Sequence, residues 1–263
     1  MKVDEGLLAV HIEPIIKAAA KIVLSYYQRI TNYHEKETGG LVTQADLESE
    51  KFLSQALSEL VPGSGIFGEE TGENNGTNDY TWVIDPLDGT TNFVHGLPYF
   101  CISVALTYKG KPQIGVVYNP LTEEYFSAIR GQGAYLNGKK IEMSRTSKVE
   151  NSLIMIGLPY SRQERFKQMM RIVENISLKV YAFRHFGAAA LDQAYLAAGR
   201  LDGVVLNELG WWDVAAGILL IEEAGGMVTD FEQNPIDKRY KSFIAAGKEL
   251  YPQLLELIKS VKS

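Results

Sequence analysis

The sequence has 263 residues and a single cysteine, Cys101. One thiol cannot form a disulfide framework, and it excludes a zinc site built mainly from thiolates. None of the 4 histidines has a histidine or cysteine partner at zinc-motif spacing, so a zinc enzyme is a weak interpretation. The chain also lacks a G-x-S-x-G elbow, a Walker A loop and a G-x-G-x-x-G fingerprint. The sequence therefore does not indicate any of the enzyme classes that these three motifs mark.

Long apolar runs and an excess of positive charge are missing as well. The most apolar run, residues 214–221, is far shorter than the roughly 20 residues that cross a bilayer. The net charge is −6, which argues against a protein that mainly grips nucleic-acid phosphates. Residues 1–5 show no secretory signal pattern. We therefore expect a cytoplasmic protein with neither membrane nor nucleic acid among its partners.

The order of apolar patterns predicts two halves. Residues 7–33 and 43–60 have helical apolar spacing, whereas residues 65–137 form short β-branched or aromatic runs bounded by turn residues. After about residue 146, strands and helices alternate. We predict an α/β (α+β) fold in which residues 1–146 form an α+β half with a mainly antiparallel sheet and residues 147–263 an α/β half. No flexible linker separates them, so residues 1–263 are expected to pack as one unit that shares a site.

The strongest chemical signal is the segment 82–92, WVIDPLDGTTN. A buried strand delivers Asp85 and Asp88 to its end, and Pro86 fixes its own φ, so that the chain turns there. The carbonyl of Leu87 can then face outward. Two carboxylates and a carbonyl on one turn form a set of hard oxygen ligands, which suits Mg²⁺ better than a softer metal.

The residues that follow this turn predict an anion site. Gly89 and Thr90 open a predicted helix, and backbone N–H groups at such an opening would point at an anion beside the metal. The alternative is a strand-ending Asp-Pro turn in which Thr90 or Thr91 serves only as a helix cap. The second aspartate, the glycine and the threonine together favour the metal and anion site.

Three further segments carry weaker signals. Glu69 and Glu70 follow a short apolar strand, but paired acids are most often solvated surface, and these matter only if the fold brings them beside Asp85. Asp213 lies near the start of an apolar helix, where an acid commonly does no more than interact favourably with the helix dipole. The segment 187–189 opens a small-residue helix that a phosphate or sugar could approach, although close packing explains it equally well.

Together these segments resemble the inositol monophosphatase family over nearly the whole chain. Residues 82–95 look like its first signature position by position, and residues 212–217 with 222–226 look like its second. Supporting pieces occur in the order of the family at residues 41–46, 68–70, 131–138 and 187–189. Any one piece is a moderate to weak signal, whereas their joint agreement is highly specific.

The resemblance implies a fold, a reaction and an assembly. The fold is a layered αβαβα sandwich of the inositol monophosphatase and fructose-1,6-bisphosphatase type. The reaction is the Mg²⁺-dependent hydrolysis of inositol monophosphate or a similar small polyol phosphate by direct attack of metal-activated water. The resemblance also implies a homodimer, sensitivity to lithium, and two Mg²⁺ ions with a third, weaker ion near Glu69.

The resemblance assigns metal ligands by motif. Glu69, Asp85 and the carbonyl of Leu87 would hold the first Mg²⁺. The second would be held by Asp85, Asp88 and Asp213. Without cations, such crowded carboxylates would raise one another's pKa values. Paired metals would lower the pKa of the attacking water and stabilise the leaving alkoxide, so no covalent intermediate is needed.

The resemblance also assigns catalytic and substrate-binding residues. Thr90, hydrogen-bonded towards Asp46, would orient and deprotonate the attacking water. The residues expected to contact phosphate and polyol are Leu87, Asp88, Gly89, Thr90, Gly187, Ala188, Ala189 and Asp213.

One departure from the family pattern concerns the substrate. Inositol-selective members carry a glutamate that contacts the polyol, and here that position is Leu206, 7 residues before Asp213. The nearest acid is Glu208. Either a shift of one or two residues in the alignment lets Glu208 replace that glutamate, or the pocket recognises the polyol through other contacts. Trp211, where relatives often have a smaller residue, could also reshape the mouth of the site.

Other functions compete with this interpretation. A haloacid-dehalogenase phosphatase needs a single residue between its two aspartates, whereas two residues separate Asp85 from Asp88. We therefore reject it. The same fold could act on fructose-1,6-bisphosphate, histidinol phosphate or a nucleotide 3′-phosphate, and a regulatory binding role is the alternative of another class.

Overall fold

The structure, a computed structural model, describes residues 3–29, 33–36, 40–159 and 164–261, with backbone only for residues 164 and 165. Its elements alternate between helices and sheets from one side of the molecule to the other. The first half begins with helix α1 (Glu5–Tyr26), the short antiparallel pair β1 (His34–Glu35) and β2 (Leu41–Val42), and helix α2 (Gln44–Leu60).

An eight-stranded sheet follows in the first half. Its strands are β3 (Gly65–Gly68), β4 (Gly72–Asn74), β5 (Tyr80–Asp88), β6 (Cys101–Tyr108), β7 (Lys111–Asn119), β8 (Glu124–Ile129), β9 (Gly133–Leu136) and β10 (Lys139–Ile141), with helix α3 (Thr90–Val94) after β5. The spatial order is β10-β9-β8-β7-β6-β5-β3-β4. Within this sheet as described, β3 and β5 pair in parallel and the other neighbouring strands pair antiparallel.

The second half contains a mixed five-stranded sheet and four helices in the described residues. Its elements are β11 (Leu153–Ile156), α4 (Glu164–Ser177), β12 (Ala182–Arg184), α5 (Ala189–Ala197), β13 (Gly203–Asn207), α6 (Ala215–Glu223), β14 (Met227–Thr229), β15 (Ser242–Ala246) and α7 (Tyr251–Lys259). The spatial order is β12-β11-β13-β15-β14, and β11 is parallel to both of its neighbours. The carboxyl ends of β11, β12 and β13 therefore lie at one edge of the sheet.

Alternation along the strands explains the layers of the first half. In β5, the side chains of Trp82 and Ile84 join the core beneath α1 and α2, whereas Val83 joins the core against α5 and α6. Successive residues of a strand point to opposite faces, so each face needs its own cover of helices. Helices α5 and α6 are buried on nearly all sides because they lie between the two sheets.

The second sheet repeats this alternation. Ile154 and Val205 join the core with α4 and α7, whereas Met155 and Val204 join the core with α5 and α6. The layers are therefore α1 and α2, the first sheet, α5 and α6, the second sheet, and α4 and α7. This arrangement confirms the predicted αβαβα sandwich, while the division of the chain at residue 146 stays a prediction.

Element boundaries differ from the sequence prediction at three places near the strand ends. Asp85 and Asp88 lie within β5, because β5 continues through an irregularity in its pairing with β6. Helix α5 begins at Ala189, after the predicted Gly187. Helix α6 begins at Ala215, after Asp213, near which the sequence predicted its start. In the part of the chain that the structure describes, no helix has the length and apolar character needed to cross a membrane.

The contact between β7 and α6 predicts a sensitive position. A Cβ added to Gly115 would lie 2.8 Å from the carbonyl oxygen of Ala216, whose backbone cannot easily move in a packed layer. We expect Gly115→Ala to lower the free energy of unfolding by about 1–3 kcal/mol, measured by urea denaturation. Gly6→Ala is the matched control, because a Cβ there would lie 3.4 Å from the Asp4 side chain and alanine favours the helix. Equal stability of Gly115→Ala and the unsubstituted protein would contradict the packing argument.

Candidate metal site

The end of strand β5 carries a buried carboxylate oxygen that accepts no hydrogen bond from the residues that the structure describes. Asp85 is 1% exposed, and its Oδ1 accepts a hydrogen bond of 3.0 Å from the N–H of Leu87. Its Oδ2 is buried and has no hydrogen-bond partner in the described part of the chain. A buried charged oxygen is strongly disfavoured unless a cation or a proton meets it. This oxygen is therefore suited to a cation.

Asp213 reaches the same place from the turn that precedes α6. Its Oδ2 accepts a hydrogen bond of 2.6 Å from the N–H of Gly210, which closes the turn. Gln193 of α5 donates from Nε2 to the carbonyl of Asp213 at 2.9 Å. One oxygen each of Asp85, Asp88 and Asp213 can be chosen so that all lie within 4.8 Å of one another. The fold thus brings together the three acids that the family resemblance assigns to the second Mg²⁺.

Burial and mutual repulsion raise the pKa values of this trio. Loss of hydration, and then the neighbouring charge of Glu69, raise the pKa of both Asp85 and Asp213 well above the usual range. Burial raises the pKa of Asp88 to about 7, although hydrogen bonds from backbone N–H groups oppose the shift. A hard divalent cation such as Mg²⁺ prefers oxygen ligands and would offset the repulsion between the ionised carboxylates.

The N-terminus of α5 is directed at Asp88. The N–H groups of Ala189 and Ala190 donate to the two carboxylate oxygens of Asp88 at 3.0 and 2.7 Å. The Ala189 N–H is therefore already engaged by the protein. Substrate contacts by Gly187, Ala188 and Ala189 stay a prediction.

Thr90 and Asp46 form the predicted hydrogen-bonded pair. The hydroxyl of Thr90 lies 3.0 Å from Asp46 Oδ1 and 2.9 Å from the carbonyl oxygen of Leu87, and it can donate to either. Asp46 Oδ2 accepts from the N–H and the hydroxyl of Thr43, in the capping box that starts α2. Burial raises the pKa of Asp46 to about 6. A carboxylate with this pKa is mostly ionised near neutral pH, so it can accept the hydrogen bond that the Thr90 hydroxyl donates.

Glu69 lies beside the trio but has a partner of its own. Its N–H donates to the carbonyl of Ile84 at 3.1 Å, and its carboxylate accepts from Lys36 Nζ at 2.7 Å. Burial raises the pKa of Glu69, whereas the charge of Lys36 opposes the shift. Lys36 also donates to Glu70 at 2.5 Å. The role of Glu69 as a metal ligand stays a prediction.

Sequence reasoning missed three residues that touch the site. Lys36 carries no motif, and its contact with Glu69 spans 33 positions of the chain. Cys101 is buried, and its thiol donates a hydrogen bond to Asp88 Oδ2 at 3.5 Å. Asn92 donates to the carbonyls of Tyr99 and Phe186, each at 2.8 Å, and so ties α3 to the loop before α5. Only Asn92 lay within a matched signature.

The structure limits which residue could meet a polyol. Leu206 is 1% exposed and packs in the core between the sheets, so it cannot line an open pocket. Glu208 is the first residue after Asn207, the last residue of β13, and has a left-handed φ of 58°. Trp211 is buried in the same core, whereas Trp212 packs edge-to-face on Phe67 at 5.5 Å between ring centroids.

Comparisons with known proteins agree on one family. The model of the inositol monophosphatase family matches residues 5–263. An inositol-1-monophosphatase from Caulobacter vibrioides is 38% identical over 230 residues, which cover 86% of this chain and 90% of that protein. Nus factor SuhB from Pseudomonas aeruginosa is 36% identical over 250 residues, or 92% of each chain. The crystal structure of the extragenic suppressor protein SuhB from Bartonella henselae superimposes with a TM-score of 0.91 at 36% identity, over 97% of this chain and 99% of that one.

The raised pKa values predict how the chelated protein responds to pH. Asp46, with a pKa of about 6, and Asp88, with a pKa of about 7, bind protons more tightly than an unfolded aspartate with a pKa of about 3.9. The folded state therefore holds more protons than the unfolded state, and the free energy of unfolding should fall as pH rises from about 4 to about 7. Urea denaturation in EDTA at about pH 5 and pH 8 measures the difference.

Added Mg²⁺ provides the control for this experiment. It should raise the free energy of unfolding more at the higher pH, where the carboxylates are ionised and bind the cation. A chelated protein that gains stability between the two pH values, or a Mg²⁺ effect that is no larger at the higher pH, would contradict the prediction.

Proposed function

Because the chain belongs to the inositol monophosphatase family, we propose that it is a Mg²⁺-dependent phosphatase that hydrolyses inositol monophosphate or a similar small polyol phosphate. The observation that carries this proposal is the carboxylate trio with its unpartnered Asp85 Oδ2, next to the Thr90–Asp46 pair. A site for a divalent cation and a proton-accepting pair are the two parts that hydrolysis of a phosphate monoester by water requires.

The metal ligands are carried over from the family by motif, and the chemistry of the cluster supports them. Asp85, Asp88 and Asp213 would hold Mg²⁺, and Glu69 and the Leu87 carbonyl would complete two sites, with a third, weaker ion near Glu69. Bound there, Mg²⁺ supplies positive charge to the phosphate oxygens and the leaving alkoxide, and it lowers the pKa of water. The donor set of carboxylate and carbonyl oxygens supports this choice of ion.

The residues of the chain position the water and the phosphate. Thr90 Oγ1 accepts a proton from the attacking water as its own proton moves to Asp46 Oδ1, 3.0 Å away. The N–H groups of Gly89 and Thr90 bind the phosphate. Gly89 has a φ of 90°, and a Cβ there would lie 3.0 Å from Ala188 Cβ, so glycine is required at this turn.

The choice of polyol depends on the residues after β13. Since Leu206 is buried, we propose that Glu208 contacts the hydroxyl groups of the substrate, from the edge where β11, β12 and β13 end. Fructose-1,6-bisphosphate, histidinol phosphate and nucleotide 3′-phosphates are the alternative substrates for the same chemistry. Cytoplasmic location and inhibition by lithium stay predictions from the sequence.

A phosphate-release assay across these esters tests the proposal. We expect activity with Mg²⁺, highest on inositol monophosphate, and a loss of at least about 100-fold in kcat for Asp88→Asn, which removes a ligand charge at the center of the cluster. The matched control, Asp237→Asn, alters an exposed carboxylate paired with Arg239 and should keep full activity. Full activity of Asp88→Asn would show that the metal assignment is wrong.

A regulatory binding role is the second candidate function. It is favoured by the similarity to the Pseudomonas aeruginosa protein named Nus factor SuhB. Absence of turnover by the purified protein with Mg²⁺ across the whole set of esters would favour this role over hydrolysis. The two functions are compatible, since the proposed ligands of the metal site do not depend on a surface partner.

We also propose that two copies of the chain associate through the edge of the second sheet. Strand β12 is an edge strand, and apolar side chains around it are exposed: Tyr181 by 81%, Leu178 by 75% and Phe183 by 40%. An open strand edge beside exposed apolar groups is a typical association surface.

Sedimentation equilibrium tests this dimer. We expect the unsubstituted protein to sediment as a dimer and Tyr181→Glu to shift it towards the monomer, because a buried unpaired charge opposes association. Val10→Glu, which alters an exposed apolar side chain of α1, should leave the dimer intact. A monomeric unsubstituted protein would refute the proposal, and a Tyr181→Glu dimer of unchanged affinity would exclude this surface.

A further inference from the structure

We propose that Glu50 is a positioning residue that holds the turn 69–71, and through it the carboxylate of Glu69, in place for the metal. This inference rests on the proposed metal-dependent function, since it gives Glu50 a role in the affinity for the cation. Glu50 lies on α2 and is 0% exposed. Its carboxylate is outside the trio of Asp85, Asp88 and Asp213, so nothing in the site described above accounts for its burial.

The carboxylate of Glu50 accepts three hydrogen bonds from the turn. The N–H of Glu70 donates to Oε2 at 2.9 Å, and the N–H of Thr71 donates to Oε1 at 2.8 Å. The hydroxyl of Thr71 donates to Oε1 at 2.6 Å. Hydrogen bonds to an ionised acceptor are the strong ones in proteins, so the turn is tied firmly to α2.

The bonds to Glu50 continue a series along the backbone. The N–H of Glu69 donates to the carbonyl of Ile84, which directly precedes Asp85 in β5. The next two N–H groups, those of Glu70 and Thr71, go to Glu50. Three consecutive amides are thus held in place: β5, the strand that carries Asp85, binds the first, and α2 binds the other two. The backbone of Glu69 has little freedom to turn its side chain away.

Gly68 gives independent support for this arrangement. A Cβ on Gly68 would lie 2.3 Å from Oε1 and 2.5 Å from Cδ of Glu50. The glycine before Glu69 therefore leaves the space that the Glu50 carboxylate fills. Any side chain at Gly68 would push this carboxylate away from Glu70 and Thr71 while keeping its charge.

Helix α2 connects Glu50 with the rest of the site. Asp46, one turn earlier, accepts from Thr90, and the hydroxyl of Ser49 lies 3.4 Å from the carbonyl of Pro86. Three side chains on one face of α2 thus reach three segments of the site. Residues that orient metal ligands commonly change metal affinity by about 10–100-fold when they are replaced.

The test measures Mn²⁺ binding by electron paramagnetic resonance and hydrogen exchange at the amides of residues 70 and 71. Glu50→Gln keeps the shape of the side chain but replaces one acceptor oxygen with an NH₂ group, which cannot accept a hydrogen bond from the backbone N–H that faces it. Gly68→Ala displaces the carboxylate, and Thr71→Val removes one bond. We expect Glu50→Gln and Gly68→Ala to bind Mn²⁺ at least about 10-fold more weakly and to exchange faster.

Two further readouts separate positioning from loss of folding. Glu59→Gln, an exposed substitution on α2, should bind Mn²⁺ as the unsubstituted protein does. High Mg²⁺ should restore the kcat of the weakened variants, which it would not do for a chain that has lost its fold. If Glu50→Gln fails to fold, Gly68→Ala and Thr71→Val carry the test, with a smaller effect expected for Thr71→Val.

The outcomes distinguish this inference from the proposed function. Unchanged Mn²⁺ affinity in folded Glu50→Gln or Gly68→Ala, when the unsubstituted protein binds Mn²⁺, overturns the role of Glu50 alone. If the unsubstituted protein binds no Mn²⁺, the proposed metal site and the role of Glu50 both fail. In that case slow exchange at residues 70 and 71 would still report the hydrogen bonds to Glu50 as a purely structural contact.

Discussion

Repulsion between buried carboxylates is the constraint on which the site depends. Asp85, Asp88 and Asp213 each place an oxygen within 4.8 Å of the others, in an interior where each has lost most of its hydration. Charges interact strongly in such surroundings, and removing each from water costs several kcal/mol. Protons or a divalent cation can relieve this cost. The acids therefore destabilise the chain when no cation is bound, and they form the site that we propose for Mg²⁺.

The layered fold makes this concentration of charge possible. Both sheets are covered on both faces by helices, so apolar side chains fill the layers and leave the ends of strands for polar groups. Strand β5 supplies two acids at one such end, and the turn before α6 supplies Asp213 from the second half. The N–H groups at the start of α5 donate to Asp88 and favour its ionised form. The two halves of the chain meet where α5 and α6 pack on the first sheet, and the acids lie at one end of this apolar contact.

Local patterns predicted the parts of the site that one segment contains. Asp85, the Leu87 carbonyl and Asp88 stand close together in the sequence as a set of hard oxygen donors. The apolar patterns predicted the main strands and helices in the right order. Helix α6 starts later than its apolar pattern suggested because the side chain of Asp213 binds the N–H of Gly210 and keeps that turn outside the helix. The burial of Leu206 follows from its place on β13, whose two faces are both covered.

Contacts between distant segments could not be predicted in this way. Lys36 meets Glu69, and Glu50 meets Thr71, across 33 and 21 positions, and neither pair has a spacing that a sequence pattern would single out. An isolated lysine or a glutamate on a helix is usually solvated surface. Their roles depend on how α2 and the β1–β2 pair pack beside β3, which only the three-dimensional structure gives.

The central claim is that the trio holds a divalent cation. Anomalous diffraction from crystals grown with Mn²⁺ tests it most directly, because the ion scatters anomalously and its position can be located without assumptions about ligands. The account predicts a strong peak within about 2.5 Å of carboxylate oxygens of Asp85, Asp88 and Asp213. Absence of a peak at the trio, with Mn²⁺ bound elsewhere or not at all, would contradict it.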